Sequence, residues 1–328
     1  MNVLVTGGAG YVGSIITDEL IAKGHKVTVL DNLSRGHKES INKEAKFLLG
    51  DIGDNYWLDR ALESCESYDI DAVVHLAGET SPTLSMTDPS AYFNANVING
   101  IKLLDYMVHY NVKKMIFSSS ATVYGETGNR PCVENDELKP INAYGESKLM
   151  FEKILRWYKS AYGLDYVAFR YFNVAGATEL RGQDHKPEYT LIPCILQAVM
   201  KGEPINIYGN DYPTRDGTCV RDYVHVYDIA QAHILALEHM DKVSGLSFNL
   251  SSVKGFSVLD VIKCAREVIG TVIPANICPR RSGDPAVLLA DSTLARMKLG
   301  WQPKYTELKD LVQSAWAWQI KHPHGYAK

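Results

Sequence analysis

Tyr144 and Lys148, in the run YGESK, are side chains whose types and spacing suit proton transfer. In a helix, residues four apart share a face, so both can enter one cleft. A free phenol, with a pKa of about 10, is a poor base at neutral pH, but a cationic neighbour stabilises the phenolate and makes it a usable proton acceptor. Upstream lies SSSATVYG, Ser118 to Gly125, whose final glycine is 19 residues before Tyr144. The strand KMIFSSS would end there in hydroxyls, and Ser120 could share the hydrogen bond of a reacting hydroxyl. Spacing alone proves little, since Y-x-x-x-K also occurs at Tyr110/Lys114 and Tyr305/Lys309. Neither of those follows such a strand end. The plain alternative is a serine-rich strand end followed by an exposed helix tyrosine.

A second feature gives the pair its context. Gly7, Gly10 and Gly13 form G-x-x-G-x-x-G directly after the strand NVLVTG and before a helix-length segment. Glycines allow a tight turn and a close backbone approach to a pyrophosphate, whose charge meets the amides of the helix start. Asp31 ends the next strand, 18 residues beyond Gly13. A carboxylate there accepts hydrogen bonds from a ribose hydroxyl and repels the additional phosphate of NADP, which favours NAD. Arg35 keeps an NADP reading open, and Asp31 as a mere turn residue heading DNLSRG is the structural alternative. The positive nicotinamide ring of NAD would be a further cation beside Tyr144.

The elements that must position these groups follow from periodicity. NVLVTG, KVTVLDN, AKFLLGD, DAVVHLAG and KMIFSSS read as strands, with helix-length stretches such as Gly13 to Lys23 and Tyr56 to Ser64 between them. Their near-continuous apolar character predicts strands covered on both faces, hence a parallel sheet with crossover helices. DYVAFRYFN reads as a further strand after a helix beginning near Ala143. After Asn173 polar loops lead to TLIPCILQAVMKG and INIYGNDYPTRDGT, where a second domain begins. VHVYDIAQAHILALEHM reads as a return to the first domain, so the smaller one is assembled from interrupted segments.

Composition limits what such a chain can be. At 328 residues, 46% hydrophobic and 22% charged, it can bury a sizeable core, and a net charge of -4 without a basic block argues against nucleic acid as a partner. The six cysteines form no C-x-x-C pair, which disfavours a metal site or a disulfide framework. No apolar run reaches the ~18 residues of a membrane span, and the start lacks signal-peptide features. A cytoplasmic location and no membrane partner are the expectations.

VLVTGGAGYVGS, LDNLS, GDI, FSSSATVYG, AYGESK, FRYFNVAGA, IYGNDYPTRDGTCVRDYVHV, PRRSGDPA and HPHGY together cover nearly the whole chain. In this set the sequence resembles the UDP-hexose 4-epimerases of the extended short-chain dehydrogenase/reductase family. The resemblance implies a Rossmann-type doubly wound parallel sheet with a smaller, discontinuous α/β substrate domain. Residues 1–173 plus about 219–250 would bind NAD, and about 174–218 plus 251–328 the nucleotide sugar. It further implies reversible epimerisation at C4 of a UDP-hexose, UDP-galactose to UDP-glucose, through a 4-keto intermediate, in a homodimer built on two helices of the first domain. On the matching positions Tyr11, Val12, Asp31, Asn32, Asp51 and Ile52 would hold the adenosine and pyrophosphate. Leu76, Ala77 and Gly78 would line the cofactor, with Ser118 and Tyr171 near the nicotinamide. Ser120, Tyr144 and Lys148 fall on catalytic positions, and Tyr144 and Lys148 also on the cofactor. Thr122, Phe172, Asn173, Thr190, Leu191, Tyr208, Arg221, Arg281 and Asp284 would meet the nucleotide sugar, the two arginines as charge-assisted clamps on its diphosphate.

The match is imperfect in places. AGETSPTLS places Thr80 where family members often carry a lysine, NANVING has Ala95 where a second asparagine is usual, and Leu288 occupies the position linked to acceptance of N-acetylated sugars. A UDP-N-acetylhexosamine epimerase is therefore the alternative. Dehydratases of the superfamily use an acid/base pair in TDEVYG; here Ala121 and Thr122 stand in those places and cannot do that proton work. A reductase that releases its cofactor and a non-catalytic NAD-binding regulator are the other readings. The regulator would have no need of Tyr144 and Lys148.

Overall fold

The computed structural model describes residues 1–63, 69–128, 130–281 and 284–326. Cys65, the end of the expected Tyr56 to Ser64 helix, and Ser282 and Gly283 of PRRSGDPA lie outside them.

The strands are β1 (Asn2–Thr6), β2 (Lys26–Asp31), β3 (Lys46–Leu49), β4 (Ala72–His75), β5 (Lys114–Ser120), β6 (Asp165–Tyr171), β7 (Asn173–Ala175), β8 (Ile205–Tyr208), β9 (Val220–His225), β10 (Leu246–Leu250), β11 (Gly255–Ser257), β12 (Ala275–Cys278) and β13 (Val287–Leu288). Seven of them form one parallel sheet in the order β10-β6-β5-β4-β1-β2-β3. Such strands need helices on both faces, and their side chains divide accordingly. Val5, Val29, Val74 and Ile116 pack with the helices Tyr11–Ala22 and Val226–Glu238. Leu4, Leu30, Val73 and Phe117 pack on the other face with Asn55–Leu62, Asn99–His109 and Ala143–Tyr162. The chain leaves β1 in one direction for β2 and β3, then returns to β1's other side at β4. That reversal opens a crevice at the carboxyl ends of β1 and β4, where ligands bind in such sheets.

The expected single strand DYVAFRYFN divides in two. β6 ends at Tyr171, and Asn173–Ala175 joins a second, four-stranded sheet through β9. The cause is Phe172, whose ring is buried with Ala121, Leu149 and Leu288. The first helix begins at Tyr11, two residues before the expected Gly13, because Gly10 takes the extended N-cap conformation. The second sheet, the β8/β12 pair and the helices Leu191–Lys201, Val258–Ile269 and Leu308–Lys321 enclose a smaller core. Buried Trp301 donates to the Asp228 carbonyl at 2.8 Å, and the Asp228 carboxylate accepts from the amides of Lys304 and Tyr305. These contacts fasten the C-terminal segment to the helix Val226–Glu238.

Candidate active site

The glycine turn is packed to its limit. Gly7 adopts φ +75°, and a Cβ there would stand 2.7 Å from the Ala77 amide nitrogen; one on Gly13 would stand 2.2 Å from the Gly7 carbonyl. Only glycine brings the helix start this close to the ends of β1 and β4. No side chain caps that helix at Gly10, which leaves its first-turn amides free to meet an anion. Asp31 is buried and accepts from the amides of Ala9 and Leu33 at 2.9 and 2.8 Å. It is thus a turn-forming residue as well as a candidate ribose ligand, since each carboxylate oxygen keeps a lone pair. Burial raises its pKa against those two hydrogen bonds. Asn32 donates to Asp51 at 2.6 Å, with Ile52 buried beside them. Arg35 is bound to Glu79 at 2.8 Å and is therefore engaged elsewhere than on a ribose phosphate. These residues fit NAD and disfavour NADP.

Leu76, Ala77 and Gly78 follow β4, and Asn96 holds this loop. Its Oδ1 accepts from the Glu79 amide at 2.8 Å, while its Nδ2 donates to the Glu79 carbonyl and to Ser147 Oγ. Asn96 lies in a π-helical turn, Asn94–Ile98, a local widening common at functional sites. Thr80 is exposed and Ala95 half-buried.

β5 and the helix Ala143–Tyr162 bring the chemical groups together. Asn142 caps that helix by accepting from the Gly145 amide, and Gly163 ends it in the left-handed conformation. Tyr144 and Lys148 are 9% and 3% exposed, a pair enclosed enough for desolvation to govern both. Lys148 Nζ donates to the Ser118 carbonyl at 2.9 Å and lies 5.8 Å from the Tyr144 ring centre. Ser120 Oγ accepts from Thr122 Oγ1 at 2.9 Å, and its hydrogen bond with Tyr144 favours the phenolate. Tyr171, opposite Ser120 in the β5/β6 register, bonds His233 at 2.8 Å and lies within reach of Ser118.

One expectation is corrected here. Burial outweighs the hydrogen bond from Ser120 and raises the Tyr144 pKa. Burial also lowers Lys148 to about 8. Lys148 donates to the Ser118 carbonyl, and its presence does not outweigh the burial of the phenol.

The remaining residues lie in the second part of the molecule or at its seam. Phe172 and Leu288 share a buried cluster, and Asn173 opens β7. Arg221 Nη2 reaches Asp284 at 3.5 Å, and the Arg281 guanidinium stacks on Tyr208 at 3.9 Å. Leu191 starts its helix against the smaller core. Thr190 is exposed and spends its hydroxyl on Glu188 and Gln183, so among these residues it is the least directed toward a ligand. Sequence reasoning did not single out Tyr92, 2% exposed, whose ring meets Tyr144 edge-on at 6.2 Å. Nor did it identify the holding role of Asn96. Both depend on partners far along the chain, and no local motif announces either.

Fold and site together define an NAD-binding α/β enzyme with a tyrosine–lysine–serine centre. The chain belongs to the NAD dependent epimerase/dehydratase family, whose model matches residues 3–251. It is 48% identical to a UDP-glucose 4-epimerase of Halalkalibacterium halodurans, covering 100% of this chain and 98% of the relative. A UDP-glucose 4-epimerase of Lacticaseibacillus casei is 47% identical, with 99% of each covered. Among solved structures, the Bifidobacterium longum UDP-glucose 4-epimerase in complex with NAD+ and UDP superposes with a TM-score of 0.93 at 38% identity, covering 99% of this chain and 100% of that one.

Proposed function

We propose that the protein is a UDP-glucose 4-epimerase that interconverts UDP-galactose and UDP-glucose. NAD held at this site would supply what no side chain can, reversible hydride acceptance at the sugar's C4. Tyr144 accepts the proton of the 4-hydroxyl, and Ser120 shares that hydrogen bond. Lys148 adds positive charge beside both. Burial of the phenol makes it a reluctant base, and the positive charge of NAD beside it would favour the phenolate.

The observation that carries this reading is the meeting of Tyr144, Ser120 and Lys148 at the carboxyl edge of β5, in the sheet whose β1 bears the glycine turn. Gly7, Gly10, Tyr11, Val12, Gly13, Asp31, Asn32, Asp51 and Ile52 are proposed to hold the adenosine and diphosphate of NAD. Leu76, Ala77, Gly78, Ser118 and Tyr171 are proposed for its nicotinamide half. Thr122, Phe172, Asn173, Thr190, Leu191, Tyr208, Arg221, Arg281 and Asp284 are proposed for the UDP-sugar. The division into residues 1–173 plus about 219–250, and 174–218 plus 251–328, belongs to the same reading, although β9 at its boundary pairs within the second sheet.

Among the described residues no helix is long and apolar enough to cross a membrane. We propose a cytoplasmic homodimer, joined through the helices Asn99–His109 and Ala143–Tyr162. Trp157, 68% exposed, and Met150 are seven residues apart on the second of these, an apolar stripe awaiting a partner.

The test is conversion of UDP-galactose to UDP-glucose by the purified protein without added NAD, alongside Tyr144→Phe. The expected result is turnover by the parent and at least a hundredfold loss in the variant with NAD still bound. Unchanged turnover in Tyr144→Phe would remove the tyrosine from the mechanism.

A further inference from the structure

One helical turn beyond Lys148 lies a buried ion pair that the proposed chemistry does not use. Glu152 and Arg170 are 8% and 4% exposed. Arg170 Nη2 lies 2.7 Å from Glu152 Oε2 and its Nε 3.1 Å from Oε1. Desolvating two charges consumes most of what their attraction returns, so such a pair is poor evidence of stability. Its neighbours indicate another use. Tyr144, Lys148 and Glu152 occupy positions i, i+4 and i+8, a single stripe of the helix. Each meets the end of β5: Tyr144 at Ser120, Lys148 at the Ser118 carbonyl, and Glu152 Oε1 at Ser119 Oγ, 2.5 Å away. Alternation along the strand puts Ser119 with Phe117 on the face this helix covers, and turns Ser118 and Ser120 the other way. The strand end is therefore held by Glu152 from the same helix that brings Tyr144 to Ser120 and Lys148 to the Ser118 carbonyl. Arg170 stands opposite Ser119 in register and is fixed in turn by donating to the Tyr124 hydroxyl at 2.9 Å.

We infer that Glu152, with Arg170 as its counter-charge, is a positioning residue: through Ser119 it sets where β5 ends relative to Tyr144, and so the geometry in which Tyr144 and Ser120 share the substrate's proton. This rests on the function proposed above and deepens it. The nucleotide contacts proposed for Arg221 and Tyr208 lie on other elements, so the device acts on the chemical step and leaves sugar-nucleotide affinity alone.

Ser119→Ala removes one hydroxyl and leaves the ion pair intact. Ser247→Ala serves as the control, because Ser247 Oγ also bonds Glu152, at 3.3 Å, but from β10, which bears no reacting group. The parent is assayed first; if it fails to interconvert UDP-galactose and UDP-glucose, the proposed function itself fails. With an active parent, Ser119→Ala is expected to lower kcat about tenfold, or ~1.4 kcal/mol, with KM within twofold. The single-turnover appearance of reduced nicotinamide should slow equally, and Ser247→Ala should match the parent. Parent-like kcat in Ser119→Ala overturns the inference. So does an equal loss in Ser247→Ala, which would mark the pair as a source of general stability.

Discussion

Lys148 is a residue whose usefulness works against the fold. Among the described residues its ammonium has one hydrogen-bond acceptor, the Ser118 carbonyl, and burial lowers its pKa from 10.5 to about 8. Below pH 8 the folded protein therefore holds a poorly solvated charge that the unfolded chain exposes to water, a cost on the order of 3 kcal/mol. The unfolded state binds the proton more tightly, so this cost is relieved as pH rises from about 8 to the unfolded value near 10.4. Lys148→Met should accordingly be inactive yet more stable than the parent by about 1–2 kcal/mol at pH 7. That gain should vanish by about pH 10, as read from denaturant titrations at several pH values. A variant less stable than the parent at pH 7 would mean that the hydrogen bond to Ser118 outweighs desolvation.

Among the elements, the helix Ala143–Tyr162 carries three duties at once. Its inner stripe bears Tyr144, Lys148 and Glu152, Phe151 and Leu155 fill the core, and Met150 and Trp157 point outward. Tyr158 joins it to the neighbouring helix by donating to Asp105 at 2.5 Å, which fixes the paired outer surface as a unit. If that surface is the proposed dimer contact, Trp157→Arg should yield a monomer in sedimentation with its helical content unchanged. A dimer that persists in Trp157→Arg would move the contact elsewhere. The helix was legible in the sequence because its signal is local: a start near Ala143 and the spacing of four between Tyr144 and Lys148. The part played by Glu152 was not, because it acquires meaning only from Ser119 and Arg170, 33 and 18 residues away. The break at Phe172 was hidden for a similar reason. DYVAFRYFN is uniformly strand-like, and the partners that bury Phe172 at the break, Ala121, Leu149 and Leu288, are distant in sequence.

The whole molecule buries three neutral histidines, His75 with its pKa lowered to about 3, and His225 and His233 lowered to about 4, each chiefly by desolvation. Unfolding in mild acid returns each to about 6.5 and takes up a proton, so stability falls as pH drops through that window. Asp222, raised by burial to about 6, works in the opposite direction and offsets one of the three. Replacing His233 by glutamine keeps a partner for Tyr171 but removes one titrating group. Between about pH 6 and 4 the stability curve of His233→Gln should be shallower by ~1.4 kcal/mol per pH unit. An unchanged slope would mean that His233 is protonated in the folded state. No composition or motif foretold these histidines; they follow from which rings the closed core excludes from water.

The edge position of β10 bears on how the chain is made. Residues 246–250 complete a sheet whose other six strands end at residue 171, and Phe248 covers Phe169 beside it. At a ribosomal pace of roughly 5–20 residues per second, several seconds separate the emergence of β6 from that of its neighbour. Throughout that interval the nascent polypeptide carries a bare, greasy rim beside a nearly finished dinucleotide cradle. The length of that exposure is set by one late strand, and a message translated faster between those two points shortens it.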